Sequence, residues 1–156
     1  MARDICEECY KFFKENRDCF TPNTSASERR QVFKVNAKYK SLCCCIKVDG
    51  CIIPKDNKDE RCDYLFIIKQ DEGDWYLFVE LKGGGVSAEK GARQLIDTIE
   101  YFKSKYKIPS HNDKILGFIV GGDSTDKMTK LKEDFLKKFK GKLIHKSGSK
   151  QSYEFL

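Results

Sequence analysis

The amino-acid sequence predicts an α/β domain in three layers, with a central mixed sheet flanked by helices. Three short runs, 64–68, 75–81 and 115–120, are apolar on both alternating faces, as in central strands that are covered from both sides. Two longer segments, 92–102 and 128–139, carry apolar residues at helical spacing. Strands that alternate with amphipathic helices in this way are typical of a layered α/β domain.

The length and composition set the class of protein. The chain has 156 residues, the size of one ordinary domain, so we expect a single domain over residues 1–156. Its hydrophobic content of 40% and its 3 prolines exclude a disordered or low-complexity chain. No apolar run reaches the roughly 18 residues of a membrane span, and the first residues lack the apolar core of a signal peptide. We therefore expect a soluble cytoplasmic protein that does not interact with membranes.

The positive charge is concentrated in residues 127–156, which carry the whole formal net charge of +6. Such a patch favours a polyanion as partner, and the residues proposed to contact a phosphate backbone are Lys127, Lys130, Lys137 and Lys138. The alternative is that these lysines form the solvated face of an amphipathic helix.

The eight cysteines of a chain without an export signal are expected to be reduced, so no disulfide framework is predicted. Cys6 and Cys9 fall on the same stripe as Tyr10 and Phe13 if residues 3–17 form a helix, which predicts a buried face. The alternative is a zinc- or redox-sensing site of Cys6, Cys9 and Cys19. No second Cys-x-x-Cys or paired His motif completes a tetrahedral ligand set.

Three further cysteines, Cys43, Cys44 and Cys45, are consecutive in the chain. On a strand they would alternate between faces and could not all bind one ion. They are predicted to fill the core.

The first part of the chain begins with the helix at residues 3–17, within an N-terminal addition of residues 1–20. Ser25 and Glu28 have the spacing of a capping box, which predicts that the first core helix starts there. The segment 32–39 fits either a continuing helix or a strand.

A strand is predicted at residues 41–48, ended by the turn pair Asp49-Gly50, with residues 51–53 returning as a short hairpin arm. Residues 54–61 are predicted to form a charged loop.

The second part of the chain continues from the strand at 75–81 into Gly83-Gly84-Gly85, which predicts a flexible hinge before the next helix. That helix should end before Pro109. After the helix at 128–139, two short strands, 142–145 and 153–156, are predicted to close the sheet.

Charged residues interrupt the apolar pattern at one end of the two central strands. Glu80 and Lys82 share a face with Tyr76 and Phe78, because side chains alternate along a strand. Asp63 opens the preceding strand. Burying an unpaired charge costs much free energy, so the clustering of these three residues predicts a functional site.

The hairpin register tests whether these residues meet. A two-residue loop at Glu72-Gly73 would place Asp63 opposite Lys82 and Leu65 opposite Glu80, with all three charged groups on one face. A shift by one residue would send Asp63 to the other face.

A divalent cation would offset the cost of this cluster. The carboxylates of Asp63 and Glu80, with the carbonyl of Leu81 nearby, are hard oxygen ligands that suit Mg²⁺ or Mn²⁺. Lys82 could then orient or help to deprotonate a water nucleophile. The alternative is that Glu80 and Lys82 form an ion pair at the sheet edge that contributes little, with Asp63 capping a turn.

Asp63 followed after seventeen positions by Glu80-Leu81-Lys82, on two adjacent strands that lead into a helix, resembles the restriction-endonuclease-like, or PD-(D/E)xK, nuclease superfamily. The resemblance covers an αβββαβ order from about Ser25 to Val120. It implies that Asp63 and Glu80 bind Mg²⁺ and that Lys82 assists the attacking water.

The same resemblance implies two supporting residues. The family often adds an acid from its first core helix, for which Glu28 is the nearest candidate. Some branches place a Gln and a Tyr on the helix after the motif; Gln94 matches the Gln, whereas Thr98 stands four positions later. The residue before Asp63 is Cys62 where the family motif has Pro.

The sequence thus predicts a Mg²⁺- or Mn²⁺-dependent nuclease, acting on DNA in preference to RNA, which hydrolyses phosphodiester bonds with activated water. A homodimer would let so small a domain cut both strands of a duplex. The alternative function is a non-catalytic nucleic-acid or protein-interaction module that keeps the nuclease fold, since a fold alone does not determine activity.

Overall fold

The computed structural model describes residues 4–54, 61–83, 87–109, 112–147 and 152–155. The predicted hinge glycines Gly84 and Gly85 and most of the predicted charged loop at 54–61 lie outside these ranges. The elements are α1 (Ile5–Phe13), β1 (Phe20–Thr21), β2 (Ser25–Glu28), β3 (Gln31–Val35), β4 (Cys43–Lys47), β5 (Tyr64–Ile68), β6 (Trp75–Leu81), α2 (Ala88–Tyr106), β7 (Ile115–Val120), α3 (Met128–Phe139), β8 (Leu143–Lys146) and β9 (Ser152–Phe155).

The main sheet has six strands in the order β1-β4-β5-β6-β7-β8. Strands β1, β4, β5 and β6 pair antiparallel, whereas β6, β7 and β8 pair parallel. The sheet is therefore mixed, as predicted. The predicted strands 64–68, 75–81 and 115–120 are β5, β6 and β7, and all three are buried almost throughout because both faces of the sheet are covered.

A second sheet of three strands, in the order β2-β3-β9, covers one face of the main sheet. Strand β9 pairs parallel with β3, so the prediction that residues 153–156 close the central sheet is wrong. The ring of Tyr153 on β9 stacks on that of Phe33 on β3, with 5.8 Å between the ring centres, which shows why. The aromatic residues of β9 are half-buried and pack against both the small sheet and the central sheet.

The helices all pack on the opposite face of the main sheet. Residues of α1, α2 and α3 share one core with the side chains of the main sheet that point toward them, including Phe78. The expected arrangement of helices on both faces is thus wrong in this detail, because the small sheet takes the place of helices on the second face. The three layers are helices, main sheet and small sheet.

Helix α1 is shorter than the predicted 3–17. Asp4 caps its start by accepting a hydrogen bond from the Glu7 N–H (3.0 Å), and Lys14, with φ of 57°, ends it. The ring of Phe13 lies 5.8 Å from that of Phe102 and 4.9 Å from that of Tyr106 on α2. Helix α1 is therefore joined to the same core as α2.

The predicted helix start at Ser25 is wrong. Residues Ser25–Glu28 form strand β2, which pairs antiparallel with β3 across a turn at Arg29 and Arg30. Both arginines have positive φ, 50° and 65°, as in the tight turns that suit the twist of a hairpin. The ambiguous segment that follows is strand up to Val35 and a short 3₁₀ turn after it.

The β5–β6 register also differs from the prediction. Tyr64 pairs with Val79 and Ile68 with Trp75, which is two positions from the predicted register. The connection between the strands is longer than two residues and is closed by an ion pair of Lys69 with Asp74 (2.9 Å). Because the shift is two positions, each side chain remains on its predicted face.

The prediction that all eight cysteines are reduced is wrong. Cys19 and Cys51 form a disulfide that ties the short turn before β1 to the loop after β4. Asp49-Gly50 makes the predicted turn, with φ of 79° at Gly50, but residues 51–53 form no strand beyond a single bridge. The other six cysteines are free, and Cys43, Cys44 and Cys45 fill the cores on alternate faces as predicted.

Both later helices match their predicted periodicity. The apolar face of α2 is buried against the main sheet, and the helix ends at Tyr106, ahead of Pro109. Helix α3 buries Met128, Phe135 and Phe139, while Leu136 is half-exposed. None of the helices within the described residues is both long and apolar enough to cross a membrane.

Candidate metal centre at the ends of strands β5 and β6

Asp63 is held rigidly at the start of β5. Its backbone N–H donates to the Val79 carbonyl (3.1 Å), and its own carbonyl accepts from the Val48 N–H (2.9 Å). Its carboxylate accepts a hydrogen bond of 2.9 Å from the backbone N–H of Leu81. The side chain is only 7% exposed, so this acid is fixed against the end of β6.

Glu80 and Lys82 meet beside it. The Lys82 Nζ atom lies 2.9 Å from Glu80 Oε2, and both side chains are nearly buried. Glu80 Oε1 is buried without a hydrogen-bond partner within the part of the chain that the structure describes. A buried carboxylate oxygen of this kind is costly unless something binds it.

Helix α2 covers these two side chains through a glycine. A Cβ atom placed on Gly91 would lie 3.3 Å from both Glu80 Cγ and Lys82 Cε. The bare backbone therefore lets the helix approach the end of β6 more closely than any larger residue would allow. This contact keeps water from the helix side of the pair.

Burial controls the electrostatics of the site. The pKa of the Glu80 carboxyl is well above its usual range, chiefly because burial disfavours the charged form and next because the Asp63 carboxylate is near; Lys82 acts in the opposite direction. The ammonium of Lys82 is paired with Glu80, and the Asp63 carboxylate beside this pair adds negative charge that attracts a further cation.

Sequence reasoning did not find the fourth charged member of the cluster. Arg29, from the turn between β2 and β3, places Nη1 2.8 Å from the Leu81 carbonyl oxygen and 3.3 Å from Asp63 Oδ2. Its side chain is 51% exposed, so the guanidinium reaches the site from the solvent side. The turn brings together residues far apart in the chain, and no local motif marks it.

Gln94 and Thr98 on α2 support the segment that leads into Asp63. Gln94 Nε2 donates to the Arg61 carbonyl (3.4 Å), and the Thr98 hydroxyl accepts from the buried Cys62 N–H (2.9 Å). The structure thus places Gln94 next to the site, where it positions backbone and does not contact the Asp63 or Glu80 carboxylates through any hydrogen bond found among the described residues.

Glu28 lies on strand β2, so the prediction that it projects from a first core helix is wrong. Its Oε1 atom accepts hydrogen bonds from Lys47 Nζ (3.2 Å) and from the Tyr64 hydroxyl (3.1 Å). Burial alone would raise the pKa of Glu28, but these two hydrogen bonds hold it below its ordinary value. This acid is satisfied by its own partners.

The lysines proposed to contact nucleic acid are all exposed at or on α3. Lys130 lies 3.5 Å from Asp134, and Lys138 lies 3.2 Å from Glu100 on α2. Lys127 approaches Glu89 at 3.9 Å. These exposed pairs are weak, so the charges stay accessible to a phosphate backbone, as does that of Lys137.

A thiol metal site is not formed. Cys19 forms a disulfide with Cys51, so its sulfur cannot bind a metal together with Cys6 and Cys9. Cys9 itself lies on the buried face of α1. Among the described residues, no group of three or more His, Cys, Asp or Glu side chains is arranged to hold a metal ion.

The oxygens present nevertheless fit one hard cation. Asp63, Glu80 and the Leu81 carbonyl provide only oxygen donors, and one of them, Glu80 Oε1, lacks a partner in the described part of the chain. Mg²⁺ is commonly held by one or two carboxylates and keeps several waters, so it does not require a third acidic side chain.

Comparisons with protein-family models, with curated proteins and with solved structures each found no match.

Proposed function

We propose that the protein is a Mg²⁺- or Mn²⁺-dependent nuclease that hydrolyses phosphodiester bonds of nucleic acid. The observation that carries the proposal is the meeting of Asp63, Glu80 and Lys82 at one end of the β5–β6 hairpin. Each is nearly buried, although a carboxylate or an ammonium is costly to remove from water. A site that maintains such groups together against that cost is a candidate for chemistry.

The roles follow from the donors. Asp63 and Glu80, with the Leu81 carbonyl, would hold the metal, which supplies a Lewis acid and makes a water nucleophile accessible at neutral pH. Lys82 lies 2.9 Å from Glu80 and would orient the attacking water or stabilise charge that develops on the phosphate. Gly91 and α2 exclude water from the rear of the site.

The element order gives further support. Helix α1, strands β4, β5 and β6, helix α2 and strand β7 follow one another as α, β, β, β, α, β, with β1, β2 and β3 inserted after α1. The resemblance implies this order from about Ser25 to Val120, with α1 as an addition outside it. Between those residues the described chain forms no α-helix before β4, so the support comes from the part of the order that runs from β4 through β5, β6 and α2 to β7.

The proposed substrate is nucleic acid, DNA in preference to RNA, with the exposed lysines of α3 holding its backbone. A homodimer would allow both strands of a duplex to be cut. We also propose that the protein acts in the cytoplasm, where nucleic acid and Mg²⁺ are both present. The Cys19–Cys51 disulfide argues in the other direction, because such bonds persist mainly in oxidising compartments.

The test is cleavage of single- and double-stranded DNA and RNA in Mg²⁺ or Mn²⁺. We expect Asp63→Asn, Glu80→Gln and Lys82→Met each to reduce the rate at least about a hundredfold. Lys69→Met is the matched control, because it removes an ion-paired lysine at the other end of the same hairpin. A wild-type protein that binds no divalent ion and cuts none of these substrates would exclude the nuclease.

A second candidate is a non-catalytic binding module with the same fold. The contacts of Arg29 with Asp63 and Leu81, and of Lys82 with Glu80, favour it, because they give the carboxylates cationic partners without a metal. Nucleic-acid binding that weakens with salt but is unchanged by EDTA, Asp63→Asn and Glu80→Gln would favour this candidate over the enzyme.

A further inference from the structure

Arg29 occupies two of the oxygens that the proposed function assigns to the metal. Its Nη1 atom lies 2.8 Å from the Leu81 carbonyl oxygen and 3.3 Å from Asp63 Oδ2. A guanidinium is positively charged at every pH at which proteins are folded, so it is a permanent cation at this position.

The hydrogen bonds leave little acceptor capacity on Asp63 Oδ2. A carboxylate oxygen has about two lone-pair sites. On Oδ2 one is used by the Leu81 N–H at 2.9 Å and the other by Arg29. The Leu81 N–H is fixed by the strand, so a metal that bound Oδ2 would have to replace the guanidinium.

The backbone that carries Arg29 is also unusual. Arg29 and Arg30 both have positive φ, although such two-residue turns favour Asn and Gly. A left-handed conformation is unfavourable for a residue with a Cβ atom, because the Cβ lies too close to the following carbonyl oxygen. Strain of this kind is typically found where a residue has a functional role.

Arg29 is able to leave without disturbing the core. Half of its side chain is exposed, and it reaches the site past Gly83, whose added Cβ would lie 3.9 Å from Arg29 Cβ. Asp63, by contrast, is buried and held by backbone hydrogen bonds. The Asp63 carboxylate is therefore fixed, whereas the Arg29 guanidinium that it binds is free to move.

We infer that Arg29 is a built-in competitor for the divalent cation: it holds Asp63 and the Leu81 carbonyl in the metal-free protein and is displaced when the metal binds. This inference rests on the proposed function, since it concerns the same donor oxygens. It implies that Arg29 lowers the affinity of the site for the metal and holds the donor oxygens in one arrangement when no metal is bound.

The test is the affinity for Mn²⁺ alone, measured by isothermal titration calorimetry on the full chain. We expect Arg29→Gln to bind Mn²⁺ roughly tenfold more tightly than the wild type, the range typical of coupling between two sites. Arg30→Gln is the matched control, because it removes the same charge from the next residue of the same turn. Glu80→Gln reports the loss of a metal ligand.

The outcomes separate the inference from the proposed function. Equal Mn²⁺ affinity in the wild type and Arg29→Gln, with weaker binding in Glu80→Gln, would overturn the inference and leave the metal site standing. An equal gain in Arg30→Gln would also overturn it, because the effect would then be one of general charge. Absence of Mn²⁺ binding in every protein would overturn the metal site itself.

A measurement on the wild type avoids any dependence on a variant that fails to fold. In an NMR titration with diamagnetic Mg²⁺, the side-chain N–H signals of Arg29 should shift and exchange faster with water as the metal binds. Signals from Arg29 that stay protected at saturating Mg²⁺ would contradict the displacement.

Discussion

The backbone N–H of Leu81 donates a 2.9 Å hydrogen bond to the carboxylate of Asp63. Leu81 is the residue between Glu80 and Lys82, so the acid at the start of β5 is attached directly to the segment that carries the other two charged groups. The three side chains therefore depend on the register of a single hairpin. A one-residue slip would separate them, because it would turn every side chain of one strand to the other face.

Replacement of Glu80 by Gln should change how stability depends on pH. The folded protein binds the Glu80 proton more tightly than the unfolded chain, because burial and Asp63 raise the pKa of this carboxyl. The resulting stabilisation is complete below the unfolded pKa of about 4.3 and is lost as the pH rises through the folded pKa. The stability of Glu80→Gln relative to the wild type should therefore increase between pH 5 and pH 8.

Urea denaturation at pH 5 and pH 8, with EDTA present, measures this difference. Glu133→Gln, at an exposed position of α3, is the control and should follow the wild type. Parallel pH profiles of stability for the wild type and Glu80→Gln would show that folding does not raise the pKa of the Glu80 carboxyl.

Thr98→Val should destabilise the protein by about 1 to 3 kcal/mol, because it leaves the buried Cys62 N–H without its acceptor. Thr98→Ser keeps the hydroxyl and should lose only about 1 kcal/mol, from the missing methyl group. Thermal or urea unfolding of both variants decides the matter. A serine variant as unstable as the valine variant would mean that packing, and not the hydrogen bond, is what Thr98 contributes.

Reduction of the Cys19–Cys51 disulfide should lower stability by about 3 to 4 kcal/mol, because the bond closes a loop with a sequence separation of 32. A Cys19→Ser, Cys51→Ser double variant should show the same loss and no further response to reductant. Thiol titration of the denatured, unreduced wild type should find six free cysteines. Eight reactive thiols would show that the bond does not form.

Lys137→Gln with Lys138→Gln should weaken nucleic-acid binding and make it less dependent on salt. Each lost phosphate contact lowers the slope of log K against log salt by about 0.9. The control is Lys38→Gln with Lys40→Gln, on the turn that packs with the small sheet on the other face of the main sheet. Fluorescence anisotropy across a salt series tests the pair, and equal losses in both double variants would remove α3 from the interface.

The face shared by Asp63, Glu80 and Lys82 could be predicted although the register was wrong. Strand side chains alternate with a period of two, and the observed register differs from the predicted one by two positions. The pairing itself depended on a loop length that the polar residues 69–74 do not fix. Periodicity therefore determined the faces, and the closing contact of Lys69 with Asp74 determined the pairing.

The hairpin of β2 and β3 could not be predicted from local signals. Ser25 and Glu28 match a capping box, and the Arg29-Arg30 turn lacks the Asn-Gly or Asp-Gly pair that marks such hairpins. What selects the strand is tertiary packing: Phe33 is completely buried against the rings of Phe66 and Phe118 in the main sheet. Arg29 was missed for the same reason, and so was the approach of Cys19 to Cys51.

The parallel pairing of β3 with β9 has a consequence for biosynthesis. Val32 is paired with Ser152, so almost all of the 156 residues must leave the ribosome before the small sheet acquires its third strand. Until then the Arg29 hairpin has one neighbour fewer, and the aromatic surface it shares with Phe118 is partly uncovered. Such long-range pairing slows folding, and an aromatic surface that stays uncovered during the delay makes the nascent polypeptide prone to aggregation.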